Sequence, residues 1–64
     1  MKLRDIMELV FEDVIIYVET RIGVYEELYR GGYRDVPENL LDRTVLIVGA
    51  GGLRERVLEI EVAK

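Results

Sequence analysis

The chain contains no cysteine and no histidine among its 64 residues, and this absence limits how it can be stabilised. A domain of this length buries only about 60% of the surface that its unfolded chain exposes. Small domains often add disulfides or metal ions, but disulfides are impossible here, and zinc and copper favour thiolate or imidazole ligands. The sequence therefore predicts a single domain over residues 1–64 that depends on apolar packing or on partners and has no cofactor.

Serine is absent as well, and this removes further chemistry. Without Ser, Cys or His, no Ser–His or Cys–His nucleophile can be assembled from this chain. Proton transfer would depend on carboxylates, tyrosines, two lysines or the chain termini. A carboxylate site for Mg²⁺ or Ca²⁺ stays chemically open, although the chain has no D-x-D-x-D-G calcium loop. We therefore expect a protein that is not an enzyme and has no catalytic or metal-binding residues.

The net charge is -4, from 13 acidic and 9 basic side chains. An acidic chain is poorly suited to nucleic acid, because phosphates must be neutralised by Lys and Arg. The longest apolar runs, Val14–Val18 and Val45–Ala50, are too short to cross a membrane, and Asp5 and Glu8 interrupt any signal-peptide core. We expect a cytoplasmic protein that has no membrane partner and for which nucleic acid is an unfavoured ligand.

Hydrophobic periodicity predicts a short amphipathic helix followed by a β-hairpin. Five apolar residues recur at helical spacing near the start: Leu3, Ile6, Met7, Val10 and Phe11. Runs of β-branched and aromatic residues then predict strands over 14–20 and 24–30, with Gly23 in a three-residue loop. In that register Val18 lies opposite Glu26, and Ile16 lies opposite Leu28. One face of the hairpin then carries Val14, Ile16, Val18, Val24 and Leu28.

A proline marks the link between this hairpin and a second pair of strands. After a short extended piece over 33–36, Pro37 is suited to the first turn of a helix. One or two helical turns are therefore expected over 37–41, burying Leu40 and Leu41. Such a turn would connect two strand-rich halves of the chain.

Two further strands are predicted in the second half, Thr44–Ala50 and roughly Leu53–Val62. The last strand alternates, with Glu59 and Glu61 on an outward, solvated face. The complete pattern predicts an α+β, mainly β fold. In this fold the N-terminal helix packs on a curled antiparallel sheet of four or five strands, and an SH3-like barrel is one form of closure.

The stretch Val45–Arg54 resembles the start of a dinucleotide-binding unit. Its apolar strand runs into Gly49–Gly52, whose bare backbone could approach a phosphate. However, Arg54 occupies the position where the motif needs Gly or Ala. Only twelve residues follow Gly52, too few for a crossover helix and a second parallel strand. A hairpin turn is the preferred interpretation, and nucleotide or phosphate binding at Gly49–Gly52 is the alternative.

Four tyrosines form the candidate partner surface: Tyr17, Tyr25, Tyr29 and Tyr33. The predicted hairpin register places the first three on one face, with the fourth close by. Tyrosine is enriched where chains meet, so this surface is a candidate interface. Two other interpretations stay open. The tyrosines are covered within the chain or form ordinary cross-strand pairs, or they stack on single-stranded bases beside Arg30 and Arg34.

Three stretches carry a resemblance to other proteins: Tyr25–Gly31, Asp35–Leu41 and Val45–Val48. They resemble small uncharacterised proteins of Firmicutes and their prophages, in which a hairpin is followed by a D-[IV]-P-x-x-L-L turn and a second hairpin. The similarity covers residues 14–62. It implies a compact β-rich unit in a bacterial or phage context, and it brings no activity and no site residues.

The small core, the lack of disulfides and metals, and the tyrosine cluster together predict a non-enzymatic interaction or accessory module. We expect its partner to be another protein or a second copy of the chain, so that the protein forms a homo-oligomer.

Overall fold

Four strands form one sheet in the computed structural model, which describes residues 1–50 and 57–64. The helices are α1, Leu3–Met7, and α2, Glu38–Leu41, and a 3-10 turn covers Tyr33–Asp35. The strands, in chain order, are β1, Asp13–Arg21; β2, Val24–Gly31; β3, Val45–Ala50; and β4, Val57–Val62. Their spatial order in the sheet is β2-β1-β4-β3. The α+β, mainly β class is thereby confirmed.

The two central strands, β1 and β4, run parallel, with Asp13 beside Val57 and Val18 beside Val62. The outer strands pair antiparallel with them, β2 with β1 and β3 with β4. The sheet is therefore mixed rather than antiparallel throughout, and its described strands stay open instead of closing into a barrel. The parallel pairing places Ile16 beside Ile60, so that both belong to one buried strip.

One face of the sheet is covered by the helices and the segments that flank them. Eight apolar side chains form the buried core: Leu3, Val10, Val14, Ile16, Val18, Leu40, Ile60 and Val62. Burying such side chains stabilises the fold by about 1.5–3 kcal/mol each, before the conformational entropy that opposes folding is counted. The predicted turn after Pro37 is confirmed as α2, which buries Leu40 and half-buries Leu41. Where an extended piece was expected, residues 33–35 form the 3-10 turn.

Helix α1 is shorter than the amphipathic pattern suggested. It ends at Met7, and the chain then turns away from helical geometry before β1 begins. Leu3 and Val10 still reach the core, whereas Phe11 is exposed. The backbone ties this first segment to the start of β3, because Leu3 N–H donates to the Arg43 carbonyl at 2.9 Å and Val45 N–H donates to the Met1 carbonyl at 2.8 Å.

Two β-bulges set the register of the first hairpin. Arg21 lies opposite Val24, so the loop has two residues rather than three, and Thr20 is the extra residue beside it. Val18 lies opposite Glu26, as predicted. A second bulge at Leu28 then places Tyr29, instead of Leu28, opposite Ile16. Because directly opposed residues share a face, the bulge turns Tyr29 toward the core.

Candidate interaction surfaces

The four predicted tyrosines do not form one surface. Tyr17 and Tyr25 lie on the uncovered face of the sheet, with ring centroids 5.5 Å apart and planes at 80°. Tyr29 packs against the core. Tyr33, in the 3-10 turn, also packs there and meets Phe11 edge-on at 5.8 Å. The candidate surface is thus divided into a pair on the uncovered face and a pair on the covered side.

Tyr29 is positioned by the glycine turn that ends β2. Its hydroxyl donates to the Gly32 carbonyl at 2.7 Å. Desolvation raises the pKa of Tyr29, and the charges of Asp35 and Asp13 raise it further. This tyrosine therefore serves the packing and the turn at the same time, which is a structural role.

The two arginines considered for nucleic-acid stacking are engaged inside the chain. Arg34 Nε donates to the Tyr33 hydroxyl at 3.0 Å, and its guanidinium lies 5.5 Å from the centre of that ring. Arg30 forms an ion pair with Glu27, at 2.7 Å between Nη2 and Oε1. Neither geometry leaves a guanidinium beside an open stacking platform, so no specific observation favours single-stranded nucleic acid.

The uncovered face of the sheet is acidic around an aromatic centre. We call it the acidic face and define it by six residues: Tyr17, Glu19, Tyr25, Glu27, Glu59 and Glu61. The register places Tyr17 between Glu27 on one side and Glu61 on the other, and it places Tyr25 opposite Glu19. Four carboxylates and two phenol rings therefore meet on one side of the sheet.

Glu61 is the charged residue that the described structure buries, with only 9% of its surface exposed. It faces outward, as the sequence predicted, but most of its surface is covered, whereas a solvated side chain was expected. Tyr17 on β1 and Ile47 on β3 are its neighbours on the two sides, and they cover it. Among the described residues, its carboxylate has neither a hydrogen-bond donor nor a basic partner. Its oxygens still reach solvent, because no described side-chain oxygen is both sealed and unpartnered.

Desolvation, a hydrogen bond and the acidic surroundings raise the pKa of the two phenols. Desolvation raises the pKa of Tyr17, followed by the charges of Glu61 and Glu59. A hydrogen bond with Glu19 raises the pKa of Tyr25, and the Glu19 charge adds to this. The two neutral phenols therefore lie among four carboxylates, and a cation would be stabilised there.

A second feature is the edge strand β3, which carries no charge along Val45–Ala50. Leu46 and Ile47 are each 56% exposed, and Val48 is 45% exposed. The N-terminal residues pair with the chain only up to Val45, so the edge beyond it has no partner strand in the described structure. Edge strands are usually protected by charged residues or proline, so this edge is suited to further strand pairing.

The opposite edge, β2, is protected in the ways that β3 is not. It carries Glu26, Glu27 and Arg30, and the bulge at Leu28 interrupts its ladder. The one irregularity in β3 is a bulge at Leu46. The sheet therefore has one charged edge and one apolar edge, and only the apolar edge offers a continuous row of exposed hydrophobic side chains.

The described residues contain no arrangement suited to metal or nucleophilic chemistry. No group of three or more acidic side chains in residues 1–50 and 57–64 has the geometry of a metal site. A cavity of about 260 Å³ lies at the start of β1, lined by Leu9, Val10, Phe11, Glu12 and Leu58. Among the described residues that line this cavity, Glu12 is the acidic one, and no second titratable side chain accompanies it for acid–base work.

The glycine stretch falls largely outside the described residues, which exclude Gly51, Gly52 and Arg54. The strands on either side of it, β3 and β4, are antiparallel neighbours, with Ala50 opposite Leu58. A dinucleotide-binding unit instead needs parallel strands joined by a crossover helix. Within the part of the chain that is described, no helix is long and apolar enough for a membrane crossing.

Comparisons with protein-family models, with curated proteins and with solved structures find no match to this chain. The resemblance to small proteins of Firmicutes and their prophages therefore stays a prediction. Two surfaces of the described structure are suited to binding, the acidic face and the β3 edge.

Proposed function

We propose that the chain is a non-enzymatic interaction module that self-associates through the β3 edge. The observation that carries this proposal is the row of exposed apolar side chains from Leu46 to Val48 on an edge without charge. A second copy presents the same row of backbone donors and acceptors. Two β3 strands related by a two-fold axis would pair antiparallel and continue the sheet from one protomer into the next.

Burial of apolar surface supplies the favourable free energy of this association. The backbone hydrogen bonds fix the register, because each unpaired N–H and C=O group along the edge gains a partner. The net charge of -4 opposes close approach of two copies, and Glu59 and Glu61 lie one strand away on β4, but β3 itself carries no charged side chain. Self-association is therefore directed to this edge.

The proposal includes a bacterial or phage context, which comes from the resemblance, and a cytoplasmic location. Membrane and nucleic acid are not part of it. Nucleotide binding at Gly49–Gly52 is not proposed either, since the antiparallel pairing of β3 with β4 differs from the unit that carries such sites.

Sedimentation equilibrium over a range of protein concentrations tests the proposal. The wild-type chain is expected to form dimers at tens of micromolar, and Leu46→Lys is expected to be monomeric because it introduces a charge at the pairing edge. Ile22→Lys is the matched control. It adds the same charge at the hairpin loop, where Ile22 is fully exposed, and it should leave the dimer intact. A monomeric wild type, or equal behaviour of both variants, would contradict the proposal.

A further inference from the structure

The side chain of Glu61 is about nine-tenths buried on a crowded face, and its carboxylate has no partner within the described residues. A carboxylate with little room for water is stabilised when a cation or a hydrogen-bond donor comes to it. Its position between Tyr17 and Ile47 directs the side chain to the uncovered side of the sheet. An incoming cation would therefore reach the Glu61 oxygens from that side, where they are in contact with solvent.

The aromatic pair beside Glu61 favours the same kind of ligand. Tyr17 and Tyr25 meet edge to face, so at least one ring presents its π-face instead of stacking it against the other ring. A guanidinium or ammonium within about 6 Å of such a face is attracted to the negative face of the ring. The rings and the carboxylate thus combine two independent attractions for a cation.

The charge of the surroundings points in the same direction. Glu19, Glu27 and Glu59 surround the pair, and Arg30 is the basic residue that the register places on this side, where it pairs with Glu27. Glu19 accepts a hydrogen bond from the Gly23 N–H at 3.2 Å, which holds its carboxylate at the hairpin loop. The face as a whole carries excess negative charge over its described residues.

From these observations we infer that the acidic face binds a basic peptide segment of a partner protein, with one arginine side chain between Glu61 and the Tyr17–Tyr25 pair. Arginine fits better than lysine, because its planar guanidinium can stack on a phenol ring while it donates to a carboxylate. The site is separate from the β3 edge, and the inference goes beyond self-association. Nucleic acid would be repelled by the same carboxylates.

Fluorescence anisotropy with a labelled, capped peptide of alternating glycine and arginine tests this inference at low ionic strength. The comparison peptide has citrulline in place of arginine, which keeps the shape and removes the charge. The wild-type chain is expected to bind the arginine peptide and not the citrulline peptide. The binding should weaken as salt is added, since part of it is electrostatic.

Two variants on the acidic face, Glu61→Gln and Tyr25→Leu, locate the site, and a third variant is the control. Glu61→Gln keeps the size of the side chain and is expected to weaken the affinity about tenfold, in the range for a lost hydrogen bond to a charged group. The matched control is Glu38→Gln on α2, which makes the same change of charge on the covered side and should alter the affinity by less than about twofold. Tyr25→Leu removes an exposed ring and should also weaken binding, and circular dichroism checks that each variant is folded.

Four outcomes would overturn the inference. The wild-type chain fails to bind the arginine peptide, or it binds the citrulline peptide equally well. Alternatively, Glu38→Gln weakens binding as much as Glu61→Gln does, which would mean that net charge alone attracts the peptide. Finally, Glu61→Gln dissociates the oligomer while the peptide does not bind, which would assign the face to contacts between copies. Self-association is read out separately by the Leu46→Lys variant, so failure of one proposal can be distinguished from failure of the other.

Discussion

Ile16 on β1 and Ile60 on β4 lie side by side in the parallel pair at the centre of the sheet, and both are fully buried. Each comes from a strand whose outer neighbour is an edge strand. The contact between them therefore joins two hairpin-like halves, β1–β2 and β3–β4, into one domain. Loss of packing at this position should lower the stability of the whole fold instead of loosening one half.

Ile60→Val removes one methylene group from this contact and is expected to lower the free energy of unfolding by about 0.5–1.5 kcal/mol. Ile22→Val makes the same change at the exposed hairpin loop, where an effect within about 0.5 kcal/mol is expected. Urea denaturation measures both variants. Equal effects at the two positions would show that Ile60 is not part of the core.

Gly31→Ala is expected to destabilise the chain by about 1–3 kcal/mol, because Gly31 has a φ of 151° and little space. An added Cβ would lie 3.0 Å from the Tyr29 hydroxyl oxygen, which is itself held by its hydrogen bond to Gly32. Gly49→Ala is the control, since a Cβ there would meet nothing within 4 Å. That change should stabilise β3 by about 0.5 kcal/mol. If urea denaturation shows Gly31→Ala to be neutral, the close approach of Tyr29 is wrong.

Stability is expected to fall in alkaline solution, because the pKa values of Tyr17, Tyr25 and Tyr29 are all raised in the folded chain. These phenols ionise at lower pH when the chain is unfolded. Their contribution to stability is therefore complete below about pH 10 and is lost as the pH rises through the raised folded values.

Urea denaturation at a series of pH values above neutrality measures this effect. The double variant Tyr17→Phe with Tyr29→Phe lacks two of the three phenols, and its free energy of unfolding should fall less steeply with pH than that of the wild type. The slope is the relevant quantity, since the hydrogen bond lost at position 29 lowers stability at every pH. Equal slopes would contradict the assigned pKa directions.

The ion pair between Arg4 and Asp42 is expected to contribute little. Arg4 Nη2 lies 3.0 Å from Asp42 Oδ1 and links α1 to the end of α2, but both side chains are exposed. A double-mutant cycle with Arg4→Met and Asp42→Asn should give a coupling energy of about 0.2–1 kcal/mol that decreases at high salt. A coupling above about 2 kcal/mol, well beyond the range for exposed pairs, would show that the pair is desolvated in solution.

The local elements could be predicted from the sequence because their signals are local. The strand around Ile16, the hairpin loop at Gly23 and the helical turn after Pro37 all follow from nearby residues. The bulge at Leu28 has no such signal, since an extra residue in one strand depends on how the core accepts Tyr29. The sequence pattern predicts Tyr17 and Tyr25 on one face, which the structure confirms, but it also predicts Tyr29 there, and the bulge turns that residue toward the core instead.

The order of the strands in the sheet also could not be predicted from the sequence pattern. Two hairpins can meet through any of their strands, and the apolar residues of β1 and β4 do not by themselves determine whether the two strands run parallel. The same limit applies to the surfaces. The apolar run from Leu46 to Val48 is visible in the sequence, but its exposure depends on β3 lying at an edge. The burial of Glu61 depends equally on which strands lie beside β4.

The parallel pairing of β1 with β4 also has a consequence for synthesis on the ribosome. Asp13 on β1 pairs with Val57 on β4, so β1 is synthesised well before the strand with which it pairs. The first hairpin can form while translation continues. The backbone groups on the other edge of β1 have no partner strand until β4 has emerged. Such distant pairing is associated with slow folding. We expect the nascent chain to keep Ile16 accessible to chaperones until the last strand arrives.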